Sequence, residues 1–208
     1  MAALNNDEPP IPSSTVHQPD PTTTKNDKQN HRSLHFSDTF VISCGTVTID
    51  LFTNQVLLIY SASLSMHLLP KGRKDINESL PSAALRETLE ESGYAVQLLP
   101  NPLKTCAPDY VSGSRHTEPF AVQQRWDEKH GMHKVIFWFL ATADSKGERK
   151  MDGGREEWED FEARWVGLED AEGVVAHKDD WVLVRRAVEA VRLIREMDGN
   201  GKGKVKYG

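Results

Sequence analysis

Residues 69–96 read LPKGRKDINESLPSAALRETLEESGYAV, and the way this stretch folds decides the reading of the chain around it. Its part SLPSAALRETLEESG, residues 79–93, predicts a helix: Pro81 is tolerated in a first turn and Gly93 is a stop. On that helix Glu87, Glu90 and Glu91 stand at i, i+3 and i+4 and share a face, while Leu80, Ala84, Thr88 and Leu89 supply a buried side. Like charges at that spacing repel, so the arrangement costs stability unless something positive sits there. Three carboxylates on one face make a hard-oxygen donor set, suited to Mg²⁺ or Mn²⁺ with substrate phosphates in the remaining positions. Arg86 lies beside them and can pair with one acid or orient it. Gly72 lets the preceding loop approach the ion closely and offers a backbone carbonyl as a further ligand.

Working outward, FVISCGTVTID (40–50) and QVLLIYSA (55–62) predict strands joined by LFTN as a hairpin connection. MHLLP (66–70), YAVQLL (94–99), KVIFWFLATA (134–143) and FEARWVGL (161–168) read as further strands. DDWVLVRRAVEAVRLIREM (179–197) has apolar residues at helical spacing and reads as the second long helix. Strands and helices in this order predict an α+β fold, an α/β/α sandwich around a mixed sheet, over residues 35–197.

The 208 residues, 38% of them hydrophobic, suit one domain with a well-buried core. Residues 1–34 are rich in Pro, Asn, Thr and Ser and nearly without aromatics, so a disordered tail is expected there; residues 198–208 read as a flexible basic tail. A net charge of −6 argues against a general nucleic-acid binder. No apolar run reaches the roughly 20 residues of a membrane helix, and Cys44 and Cys106 lack metal-type spacing. The expectation is a protein with reduced thiols, in the cytoplasm or nucleus, acting on small molecules away from membranes.

The stretch resembles the Nudix box, G-x5-E-x7-R-E-U-x-E-E-x-G-U with U a bulky apolar residue. Gly72, Glu78, Arg86, Glu87, Glu90, Glu91 and Gly93 fall on its seven invariant positions. Seven coincidences at about one in twenty each are on the order of one in 10⁹ per starting point. Thr88 and Tyr94 stand at the two U positions and depart from the pattern. The resemblance implies hydrolysis of a nucleoside diphosphate linked to another moiety, with a divalent ion held by Glu87, Glu90, Glu91 and the Gly72 carbonyl, and with Arg86 in the catalytic set. It leaves the general base open among Glu156, Glu157, Glu159 and Glu162. Similar proteins place a glutamate about this far before a tryptophan resembling Trp165, which favours Glu159.

The lead-in LPKGR is similar to the Pro-Lys-Gly of Nudix enzymes that cut diadenosine polyphosphates, and Lys71, Arg73 and Lys74 add positive charge where a phosphate chain would lie. Tyr110 stands near where dinucleoside polyphosphate hydrolases carry a tyrosine, whereas Pro108 resembles a mark of ADP-ribose hydrolases. The segment 111–134 reads as a long substrate-facing loop that offers Arg115 and Arg125. Two classes of function follow. One is a Mg²⁺-dependent pyrophosphohydrolase of a nucleotide or polyphosphate: a dinucleoside polyphosphate, with diphosphoinositol polyphosphate, ADP-ribose and capped RNA as alternatives. The other is a Nudix-fold module that binds a nucleotide without turnover. A module that only binds has no physical need for the full acid set, which favours the enzyme.

Overall fold

The computed structural model describes residues 33–150 and 161–201. Within them, eight strands and three helices follow in the order β1 (Phe40–Asp50), β2 (Gln55–Ser61), β3 (Met66–Leu68), β4 (Lys71–Arg73), α1 (Leu80–Ser92), β5 (Gln97–Leu98), β6 (Ala121–Asp127), β7 (Met132–Thr142), β8 (Phe161–Gly167), α2 (Ala171–Val174) and α3 (Lys178–Gly201). All eight strands belong to one mixed sheet. Its centre is the parallel pair β1 and β7, aligned from Phe40 opposite His133 to Ile49 opposite Thr142. Both strands are β-branched and aromatic in composition, as strands buried on two sides require.

Alternation along β1 sorts its side chains between two cores. Val47 and Ile49 join Ile136, Trp138, Leu140 and the apolar stripe of α3. Cys44 and its neighbour Ile42 join Phe139, Phe137 and the small residues Ala83 and Ala84 of α1. The result is the expected sandwich, with α1 on one face and α3 on the other. Burial beneath α1 also pushes the Cys44 thiol up to about 11, so it is an inert packing group.

The halves of the sheet differ in partners. The N-terminal half of β1 pairs with β4, placing Cys44 opposite Gly72; its C-terminal end pairs with β2. In the same way β7 pairs with β6 along residues 132–138 and with β5 at its end. Several expectations are corrected here. The expected strand 66–70 ends at Leu68, and a separate strand, β4, follows Pro70. The expected strand 94–99 shrinks to Gln97–Leu98. The expected long loop 111–134 is half sheet: β6 and the start of β7 form a hairpin whose turn uses Gly131 at φ 62°. A polar strand with one exposed side lacks the apolar run that marks its buried neighbours. Helix α3 extends to Gly201, so the first residues of the expected C-terminal tail are helical, and the rest lies outside the described residues.

Candidate active site

Helix α1 is set by local chemistry at both ends. Ser79 is its N-cap and accepts a hydrogen bond from the Ser82 amide at 3.2 Å, with Pro81 just inside. Gly93 closes it in the left-handed region at φ 77°. The departures from the box then explain themselves. Thr88 is fully buried, its hydroxyl 2.8 Å from that of Thr46, which in turn meets Thr48, and it donates back to the Ala84 carbonyl at 2.7 Å. Tyr94 packs edge-on against Trp165 at 5.4 Å.

Arg86 is the hub of the acidic face. Its Nε donates to Glu78 Oε1 at 2.9 Å, one Nη donates to Glu87 Oε1 at 2.8 Å and to Glu90 Oε2 at 2.9 Å, and the other donates to Glu78 Oε2 and to the Arg73 carbonyl, both at 2.9 Å. These hydrogen bonds, the Glu78 pair first, raise Arg86 well above the ordinary arginine value. They hold the Glu78 carboxyl below its ordinary value. The positive partner that the crowded acids call for is therefore present within the chain. Glu78 shares a planar, bidentate pair with Arg86, which fixes the guanidinium as a point charge would not.

Glu91 behaves differently. It is buried, and its Oε2 accepts from the Lys71 amide at 2.7 Å, tying α1 to β4. Glu87 lies so close to Gly72 that any Cβ there would overlap its carboxylate. Gly72 is thus required by close approach, and its φ is ordinary. Among the described residues no group of three or more acids, histidines or cysteines converges as a ready metal cage. The expected convergence is divided instead: Glu87 and Glu90 meet at one Arg86 nitrogen while Glu91 faces the β4 backbone. The donors nonetheless fit a hard divalent ion, because Glu87 and Glu90 already bring oxygens to within hydrogen-bond distance of one cationic nitrogen, the place such an ion would take.

The expected substrate residues distribute over both faces. Directly opposed residues share a face, so Lys71 goes with Gly45, Arg73 with Ser43, and Arg125 with Lys134 and Val41, all toward α3. Lys71, Arg73 and Arg125 are thus brought together, but across β4 from the acids. Tyr110 rests edge-on near His116 at 6.1 Å. Arg115 is not brought in: it pairs with Asp198 at 2.6 Å, near the C-terminal end of α3. Glu156, Glu157 and Glu159 lie outside the described residues. Glu162 pairs with Arg164 at 2.9 Å and alternates with Val166, which packs in the α3-facing core, so it points away from α1. Lys134, at the end of the segment expected to face substrate, belongs to the basic cluster, where pairing across the hairpin sets it opposite Arg125. A surface cavity of about 620 Å³ lies at the far end of β1 beside Asp50 and Phe52, away from the acids of α1 and the cations of β4 and β6.

No curated protein matches significantly. Among solved structures the chain is similar to a NUDIX-family hydrolase from Clostridium perfringens, at 22% identity and TM-score 0.48 over 76% of this chain and 99% of that one. It is also similar to an Ap4A hydrolase from C. elegans, at 19% identity and TM-score 0.47 over 73% and 97%. The NUDIX domain model matches residues 43–189, from β1 into α3 and through every residue of the acidic site. The chain belongs to the NUDIX domain family, and is a Nudix hydrolase.

Proposed function

We propose that this hydrolase cleaves a pyrophosphate bond of a dinucleoside polyphosphate, such as diadenosine tetraphosphate, in a reaction dependent on Mg²⁺ or Mn²⁺. The observation that carries the reading is the pairing of a full acidic set on α1 with a cluster of four cations across β4, since a long phosphate chain needs both. Glu87, Glu90 and Glu91, with the Gly72 carbonyl, would hold the ion. When bound, it neutralises pyrophosphate charge and lowers the pKa of an attached water.

The chain's own residues do the rest. Glu78 fixes Arg86, and Arg86 aims the carboxylates of Glu87 and Glu90. Glu91 locks β4 onto α1 through the Lys71 amide, which sets the Gly72 backbone against Glu87. Glu159 is the proposed proton acceptor for the attacking water. Lys71, Arg73 and Arg125 grip phosphates beyond the bond that is cut, where each charged hydrogen bond is worth roughly 1.5–3 kcal/mol.

Turnover of diadenosine tetraphosphate, ADP-ribose, a diphosphoinositol polyphosphate and capped RNA, with and without Mg²⁺, tests the reading. The tetraphosphate should be the best substrate, and Glu90→Gln should lower its kcat by about 100-fold or more while the fold persists. Lys71→Ala should cost more in kcat/KM for the tetraphosphate than for ADP-ribose. Equal losses on both substrates would confine Lys71 to the shared diphosphate and favour ADP-ribose. A protein that binds these nucleotides with no Mg²⁺-dependent turnover would be the binding module instead.

A further inference from the structure

The α3-facing cluster holds more than the three cations already assigned to substrate. Lys134 on β7 stands opposite Arg125 on β6 in one direction and Val41 on β1 in the other. Lys71, Arg125 and Arg73 all press electrostatically on it. From β4 to β6 the cations span three strand spacings, about 14 Å. Close beside them lie two buried polar atoms without a partner among the described residues: the Oγ of Ser43, whose residue is 0% exposed, and the Nε1 of Trp138, 1% exposed. Ser43 is the β1 residue opposite Arg73, and Trp138 the β7 residue opposite Gly45, itself opposite Lys71.

Facing this cluster, the first turn of α3 presents Asp180, 6% exposed; burial raises its carboxyl above the ordinary value, Asp179 adds to that, and His177, Lys71 and Arg125 act against it. The neighbouring Asp179 accepts from Gln123 Nε2 at 2.9 Å and fastens the turn to β6. Asp180 thus opposes Lys71 and Arg125, and Asp127 opposes Lys134. Arg73 and Arg125 are exposed, but Lys134 carries the cost of burial among like charges, and buried donors left unpaired cost about 1–3 kcal/mol each. Both deficits are met by a ligand rich in negatively charged oxygens.

We propose that this face is a binding site for a linear condensed phosphate, and that Asp180 sets the threshold for binding by standing in for one phosphate when no ligand is bound. A ligand must displace Asp180 from the cations. A single phosphate merely replaces one anion with another, whereas a chain of three or more also engages Arg73, Lys134 and the donors beneath. Asp180 therefore imposes one displacement cost on every anion, and a chain overcomes it through the phosphates it has left for the other cations. The site deepens the proposed hydrolysis by giving the substrate's distal phosphates a place, and it can be tested without catalysis.

The experiment is calorimetric titration of the full-length protein with inorganic tripolyphosphate in metal-free buffer, alongside orthophosphate. Tripolyphosphate should bind the wild type far more tightly than orthophosphate. Lys134→Met, Arg125→Met and Ser43→Ala should each weaken it by about tenfold or more, the loss of one charge-assisted hydrogen bond. Asp180→Asn should tighten tripolyphosphate and orthophosphate by the same factor, about tenfold or more, and leave the ratio between them unchanged. Absence of tripolyphosphate binding to the wild type overturns the site, as does an Asp180→Asn protein that folds yet binds tripolyphosphate no more tightly than the wild type. Should Asp180→Asn not fold, Lys134→Met and Arg125→Met decide: unchanged affinity in both overturns the proposal. Inositol hexakisphosphate serves as the ring-borne counterpart, and binding of it with no response to tripolyphosphate overturns the assignment to a linear chain. Turnover of diadenosine tetraphosphate with Mg²⁺ is measured in parallel. A protein that turns over but ignores tripolyphosphate loses this site and keeps the hydrolase reading; one that binds without turnover keeps the site and loses that reading.

Discussion

At the scale of single residues, Lys134 makes the sharpest test of the electrostatics. Burial first, then repulsion from Lys71 and Arg73 on β4 and Arg125 on β6, lower it to about 8, while Asp127 on β6 pulls the other way; Asp180 faces the same cations from α3. The sign follows from linkage: between pH 8 and an ordinary lysine value near 10.4 the unfolded chain binds more protons, so folding stability rises with pH across that window. Below about 8 the full penalty of burying the charge is present. Lys134→Met should therefore melt above the wild type at pH 7, and its advantage should shrink as pH climbs toward 10. A constant gap over that range would show that the ammonium is not the source. The acids of α1 were legible from spacing alone, because ligand-bearing positions on a helix repeat at i, i+3 and i+4. That Arg86 gathers Glu78, Glu87 and Glu90 while Glu91 turns to a backbone amide was not legible, since spacing fixes the direction of a side chain and leaves its partner open.

At the scale of elements, legibility tracks burial. Strand β1 runs from Phe40 to Asp50 as its β-branched composition predicts, and α1 falls within one residue of its expected limits because Ser79, Pro81 and Gly93 punctuate it. Strands β4 and β6 escaped notice for physical reasons: the first is three residues, KGR, held by register against β1, and the second is polar with an exposed side. Tertiary pairing creates both, and neither carries a local propensity that announces it. The capping of α1 is a local quantity and can be measured as one. Ser79→Ala removes the acceptor for the Ser82 amide and should cost about 1 kcal/mol in denaturant unfolding. A cost near zero would mean that packing of Ala83 and Ala84 on the sheet alone sets the helix start.

At the scale of the whole molecule, the N-terminal half of the sheet divides its chemistry between two faces. The acids of α1 look at one side of β4 through Gly72, and Lys71 and Arg73 point from the same three residues toward the other. Among the described residues no helix is long and apolar enough to cross a membrane, and the charged surface of α3 beyond its first turn is spent on local pairs such as Arg185 with Glu172. Among those residues β4 has a single neighbour in the sheet, and on its other edge the Lys71 amide is held by Glu91 and the Arg73 carbonyl by Arg86, so a phosphate chain reaching from cations to acids would pass around these two contacts. Because β4 has a fixed width, it would act as a ruler. If one end of a phosphate chain is anchored on the basic side, the bond presented on the acidic side is a set number of phosphates away, whatever the total length. Lengthening the substrate from four phosphates to five or six should then leave the anchored fragment unchanged and enlarge only the departing one. Product analysis by ion-exchange chromatography reads this directly, and an anchored fragment that grows with the substrate would mean that the chain is gripped from its other end.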